Sequence, residues 1–343
     1  MNEGVYSKAE GLDRRTFLRQ LGAVGAAGTA GAVGAVRAAG AVGAPADWSK
    51  TGFAGAAQPS AAAGPTARPE PLPTVKLGQF SISRLIVGSN PIHGYSYMGP
   101  HTDRHMKEYF TVDRTVQFYR ECERAGINTL QFSPSPDLVE ALRRCREQGS
   151  RMHRILLFSD RAKLKGIVSE TEPIAVAHHG GVTDKLFGQG KSGQVHDFVK
   201  AVHDLGLLAG VSAHNPDCIR KIADEGWEVD FFMTCFYFLT RAQVPGALEK
   251  IPPLITLEFT YPFVKDDPKV MTQVIRQVRQ PCLAFKILAA GRLCTSQDTV
   301  REAFRFAFAN IKPTDAVIVG MYPRFFDEIR ANAEYTRQFG KPA

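Results

Sequence analysis

The sequence predicts a (β/α)8 barrel, the TIM-barrel architecture, over residues 74–343, and three observations point to it. Eight short apolar runs recur through this stretch, each bounded by turn chemistry. The runs are continuously apolar rather than alternating, as expected of strands covered on both faces. Amphipathic stretches of helical spacing lie between most of them, and strands alternating with helices build a parallel sheet. About 270 residues also suit a single barrel.

In order, the strand runs are 85–88, 129–132, 155–158, 174–177, 207–211, 231–236, 283–288 and 316–319. The helical stretches are 112–124, stopped at Gly126, then 136–148, 194–205 and 216–225. Two more follow, 267–278 with Pro268 in its first turn and 296–310 capped by Thr295 or Ser296. The connection 161–173 is short for a full helix, and the region 238–265 is unusually long.

Ahead of the barrel, Asp13-Arg14-Arg15-Thr16-Phe17-Leu18-Arg19 precedes a mildly apolar run over 21–43 that ends in Ala44-Pro45-Ala46. A twin arginine, a Gly-diluted hydrophobic region and a small-x-small site form a twin-arginine export signal over residues 1–46. Its expected partner is the twin-arginine machinery, which carries folded proteins to a periplasmic or other extracytoplasmic place. Retention of the run as an anchor is the alternative. Arg37 and the many glycines weaken that alternative, because a spanning helix needs about 20 strongly apolar residues. No stable membrane insertion is therefore expected after cleavage. Residues 47–73, dominated by Ala, Pro, Gly and Ser, read as a disordered linker.

Residues 1–46 hold five positive and three negative side chains, so the mature chain keeps +6 of the +8 charge. No Lys/Arg stripe or basic–aromatic repeat concentrates it, which argues against a nucleic-acid partner. The six cysteines show no C-x-x-C spacing, and buried free thiols are expected.

A barrel of this kind places its chemistry where strands end and the following loops begin. Those positions hold Asn90 and His93, Ser133, Ser159 and Asp160, His178 and His179, His214 and Asn215, and Tyr237. The seventh run leads to Gly291 and Arg292, the eighth to Gly320 and Arg324. Convergent polar and imidazole groups suit an enzyme or a ligand-binding barrel with a small-molecule substrate. His93, His178 and His214 suit a divalent metal, with Asp160 as carboxylate and Glu258 reaching in. The same histidines suit acid–base work or a structural role equally well. Since strand side chains alternate, only one of His178 and His179 faces inward. The expectation is that His178 and His214 share the mouth and His179 turns away. Lys286, mid-run, is a candidate base or Schiff-base nucleophile, with a buried ion pair as its bland alternative. The stretch 95–109, with His101 and His105, reads as a long loop able to cover the mouth.

Val75-Lys76-Leu77-Gly78 through Leu85, Gly126-Ile127-Asn128, Ala177-His178, Gly210-Val211-Ser212 and Val317 to Met321 with Asp327 to Asn332 together resemble the aldo/keto reductases. The resemblance runs in order over 75–335. It implies a bottom-plugging N-terminal β-hairpin and NADP(H)-dependent oxidoreduction of a small carbonyl or sugar-like compound. It also implies cofactor contacts from Gly291, Arg292, Gly320, Arg324, Glu328 and Asn332. The family's tetrad is largely missing. Gln131 stands for the Asp, Ser135-Pro136 for the Tyr and Ser159-Asp160 for the Lys, and only His178 matches, while Tyr95, Tyr97 and Lys286 are available as substitutes. The alternatives are a non-redox lyase, isomerase or hydrolase using the mouth histidines, with or without a divalent metal, and a catalytically silent binding barrel.

Overall fold

A computed structural model describes residues 70–241 and 261–341. By contact the chain divides into two units, Met1–Gly64 and Pro65–Ala343, and every described residue belongs to the second. The twin-arginine segment, most of the linker and Glu258 lie outside the described residues.

The first elements are an antiparallel hairpin, β1 (Thr74–Leu77) and β2 (Phe80–Ser83). Eight strands follow: β3 (Leu85–Gly88), β4 (Thr129–Phe132), β5 (His153–Phe158), β6 (Ala175–His178), β7 (Leu208–Ala213), β8 (Phe231–Cys235), β9 (Cys282–Phe285) and β10 (Ala316–Gly320). All pair in parallel, each with its sequence neighbour, and β10 closes on β3. This is the (β/α)8 barrel with an N-terminal hairpin.

The described helices are α1 (Pro100–Tyr109), α2 (Val112–Arg124), α3 (Pro136–Glu147), α4 (Leu164–Thr171), α5 (Gly180–Gly188), α6 (Gly193–His203), α7 (Pro216–Asp224), α8 (Asp267–Gln277), α9 (Gln297–Asn310) and α10 (Glu328–Phe339). Local chemistry explains the starts. Ser135, Asn215 and Ser296 accept backbone N–H bonds as caps, and Pro136, Pro216 and Pro268 sit in first turns. The short connection 161–173 accommodates the two-turn α4. α1 and α5 are helices where no helical stretch is legible in the sequence, and α5 follows β6 directly.

Strand alternation sorts the core into two layers. Ile86, Ile155, Ala175, Ala177, Phe231, Met233, Leu283 and Ile318 fill the barrel interior together with Val75, Leu77 and Ile82 of the hairpin. The hairpin therefore plugs the barrel. Val87, Leu130, Val176, Val211, Phe232 and Val317 instead pack under the helices. Gly210 takes an inward place because Phe231 fills the space beside it, and a Cβ there would lie 2.3 Å from the ring. Leu72 is buried against this body and Pro73 O accepts Arg84 N–H at 2.8 Å, so packing begins within the stretch read as linker. At the far end Arg84 donates to the carbonyls of Asp315, Gly340 and Lys312, tying the last helix and the last strand to β3.

β9 stops at Phe285, three residues earlier than the apolar run suggests, because the backbone turns left-handed at Lys286, with φ +61°. Lys286 is thus a loop residue at the mouth, not a mid-strand one. Five cysteines are buried free thiols, and Cys294 is exposed.

Candidate active site

The strongest constellation forms where β6 and β7 end. Pro216 at the start of α7 terminates β7, leaving His214 and Asn215 on the rim. Alongside, Gly180 and Asp184 stand one turn apart on α5 and share a face. A Cβ at Gly180 would lie 2.9 Å from Ser212 Oγ and 3.2 Å from His214 Cε1, so the glycine lets α5 approach β7. That approach delivers Asp184, whose side chain is 1% exposed.

Its carboxylate is well satisfied. Oδ1 accepts Asn215 N–H at 3.2 Å, and the two oxygens accept His214 N–H at 3.1 and 3.2 Å. Oδ2 also accepts Thr240 Oγ1–H at 2.9 Å and the His214 ring at Nδ1, again at 2.9 Å. A carboxylate is an acceptor only, so Nδ1 carries the proton and Nε2 keeps its lone pair. Burial lowers the His214 pKa from its ordinary value, Asp184 works against that, and the Lys286 charge lowers it further. The imidazole is therefore neutral at pH 7, held in one tautomer by a buried acid. Beside it, a cavity of about 50 Å³ between the β7 and β8 ends and α8 reaches Cys235, Phe236 and the Arg241–Asp267 ion pair.

His179 and Lys286 complete the cluster. Burial, then the nearby His214 and Lys286, lower the His179 pKa, and its Nδ1 is buried without a hydrogen-bond partner. The Lys286 ammonium lies 4.6 Å from the centre of the Tyr97 ring and 5.0 Å from that of Phe285. Phe285 in turn packs edge-on to His214, with ring centres 5.7 Å apart. Tyr97 arrives from the loop after β3, touches Tyr261 and Phe263, and accepts Arg292 Nη2–H at its carbonyl, 3.0 Å away. The long first loop thus crosses the rim towards β9.

The other expected site residues are placed elsewhere. His178 has the same parity as Val176 and turns into the helix layer. Its Nδ1 lies 2.8 Å from Thr183 Oγ1, and its ring packs edge-on to Phe198 of α6. Burial, with His179 adding to it, holds its pKa down to about 4. The expected pairing is therefore reversed, and it is His179 that joins His214. His93 is held by Ser133 O at 3.0 Å from Nε2, with Tyr95 against its ring. Asp160 is exposed and caps the 3-10 turn Arg161–Lys163, accepting Ala162 N–H at 3.0 Å. Among the described residues no group of three or more His, Cys, Asp or Glu is placed to hold a metal. The proposed His93–His178–His214 ligand set is accordingly corrected: its members do not meet.

The residues expected to hold a dinucleotide are largely engaged. Glu328 accepts Tyr322 N–H at 2.7 Å, and burial raises its pKa. Asn332 is 3% exposed within α10. Arg292 bonds Tyr97 O and Ala289 O and lies over the Phe263 ring, 3.9 Å from its centre. Gly291 turns with φ +90°, and a Cβ at Gly320 would lie 2.8 Å from Pro91. Gly291, Gly320 and Arg324 stay exposed, Arg324 lying over Phe325. Arg292, Glu328 and Asn332, as arranged, do not fit a dinucleotide.

Asp184 and Thr240 are absent from the sequence-level candidates. The legible signal is an acid within 182–186, one turn beyond a strand-ending His-His-Gly-Gly.

No family model matches this sequence, and no curated protein matches it. Solved structures give distant likenesses. One is glycerol dehydrogenase AKR11B4 from Gluconobacter oxydans, at 12% identity over 79% of this chain and 97% of that one, TM-score 0.43. Another is a truncated 3-deoxy-D-arabino-heptulosonate 7-phosphate synthase from Thermotoga maritima, at 12% identity over 78% and 91%, TM-score 0.45. A third is the 2-keto-3-deoxy-6-phosphogluconate aldolase of Zymomonas mobilis, at 14% over 67% and 88%, TM-score 0.39. At such scores they carry no weight on activity, and the fold stands on its own strand pairing.

Proposed function

We propose that this chain is a barrel enzyme that moves a proton at the carbon next to the carbonyl of a small compound, without redox chemistry. The carrying observation is the Asp184–His214 hydrogen bond, which fixes the tautomer and leaves Nε2 as a base at the mouth. In this reading His214 takes the proton, Asp184 orients the ring and steadies the imidazolium that forms, and Lys286 offsets the negative charge that develops on the substrate. His179 serves as a second proton carrier. The loop bearing Tyr97 shields the site from bulk water.

The test is solvent deuterium exchange into carbonyl probes such as dihydroxyacetone and pyruvate, followed by NMR. Wild type exchanges the α-hydrogens, and His214→Ala slows this by about 10²–10⁴-fold, the usual worth of an acid–base group. Equal exchange in both proteins would remove the proposal.

The reductase reading keeps one favourable observation, the Tyr97 phenol ring beside the Lys286 ammonium. The engagement of Arg292 and Glu328 and the burial of Asn332 argue against a dinucleotide. Titration with NADPH, read by cofactor fluorescence, separates the two readings. Export is part of the proposal: Arg14-Arg15 and the Ala44-Pro45-Ala46 site support delivery by the twin-arginine route to an extracytoplasmic place.

A further inference from the structure

We infer that Lys286 is a covalent catalytic residue, forming an imine with the carbonyl carbon of the substrate. This deepens the proton-transfer reading and rests on it, because the imine is the electron sink for the carbanion that His214 would create.

Four observations carry the inference. Among the described residues the Lys286 ammonium has no carboxylate partner and no hydrogen bond, only the Tyr97 and Phe285 rings. The buried ion pair of the bland alternative is not what is found among the described residues. Next, it is half-buried and directly follows β9 at the barrel rim. Phe285, whose ring lies beside the ammonium, also contacts the imidazole of His214, which places an amine and an oriented base on one wall. Finally, the backbone around it is costly. Lys286, Ala289 and Ala290 have φ of +61°, +49° and +49°, three of the five non-glycine residues with positive φ among those described. The left-handed region is strained for residues that carry a Cβ, and strain of this kind gathers at functional sites.

The step balances without any outside reagent. The ammonium gives one proton to His214 Nε2, and the freed nitrogen lone pair adds to the carbonyl carbon while the π pair moves to oxygen. The imidazolium returns that proton to the oxygen, giving a carbinolamine. A second proton passes from nitrogen to the hydroxyl by way of His179 or His214, and water leaves as the C=N bond forms. One ammonium and one carbonyl thus become one protonated imine and one water. The neighbouring α-hydrogen is then acidified, and His214 Nε2 removes it.

The full chain is incubated with pyruvate or dihydroxyacetone and sodium borohydride, and the adduct is located by peptide mass spectrometry. The expected result is a reduced adduct at Lys286 in wild type, in excess of any at surface lysines such as Lys165 and Lys185. It should be lost in Lys286→Arg, with circular dichroism and melting used to check that this variant folds. An adduct spread evenly over the lysines, unchanged in Lys286→Arg, would overturn the inference. Deuterium exchange that continues with no adduct at Lys286 would overturn the imine and leave the His214 base standing. Absence of both adduct and exchange would overturn the two together. His214→Ala gives a further check, because slower adduct formation with Lys286 still present is expected, and an unchanged rate would sever the link between the two groups.

Discussion

At the level of single residues, the two histidines expected to share the mouth, His214 and His178, lie in different surroundings. His214 is held neutral by burial yet wired to Asp184. Its base form should therefore persist as pH falls to its ordinary value near 6.5 and be lost only below it. Exchange rate measured against pH should accordingly be flat from pH 8 to 6.5, with the acid limb lower still, and a limb centred above 6.5 would contradict the assignment. Asp184→Asn keeps the shape and removes the charge, so the same rate should fall by about 10²-fold or more while the fold survives. His178 titrates a different property. Its folded pKa of about 4 lies below the ordinary 6.5, so the unfolded chain binds more protons between those values. Its contribution is fully present above pH 6.5 and is lost as pH falls towards 4, about 3 kcal/mol in all. Denaturant melts at pH 7 and pH 4.5 should show this acid loss shrinking in His178→Phe, and an equal loss in both proteins would rule it out.

At the scale of the elements, the strands were legible because burial on both faces leaves an unbroken apolar signature, and six of the described helices were legible from caps, first-turn prolines and spacing. α5 was not, because His179-Gly180-Gly181 reads as a turn. The glycines serve instead to bring the helix against Ser212 and His214. Missing that helix hid Asp184. The parity of β6 could not be fixed either, since the run ends in two histidines and the register alone decides which one faces inward. Lys286 appeared to continue β9 because Ile287 and Leu288 are apolar, whereas its left-handed backbone ends the strand. Packing within an element is testable at Gly210. Gly210→Ala forces a methyl onto the Phe231 ring, and the expected loss is about 1–3 kcal/mol. Chemical denaturation measures it, and a neutral result would mean that the ring has room to move.

For the whole molecule, a plugged bottom leaves the opposite rim for chemistry. The hairpin side chains Val75, Leu77 and Ile82 join the interior cluster, while Tyr95, Met98, Phe325 and Phe326 stand exposed. Among the described residues no helix is long and apolar enough to cross a membrane. The export proposal is tested on the full chain by changing Arg14 and Arg15 to Lys. Precursor should then accumulate in the cytoplasm, and mature protein still appearing outside would remove the twin-arginine assignment.

The proposed chemistry turns on the state of one ring, and nitrogen NMR of the histidine side chains reads that state directly, with no substrate needed. At pH 7 the His214 signals should report a neutral imidazole with the proton on Nδ1 and a bare Nε2, and Asp184→Asn should disturb that pattern. A proton on Nε2, or an imidazolium at pH 7, would contradict the assignment of His214 as the base.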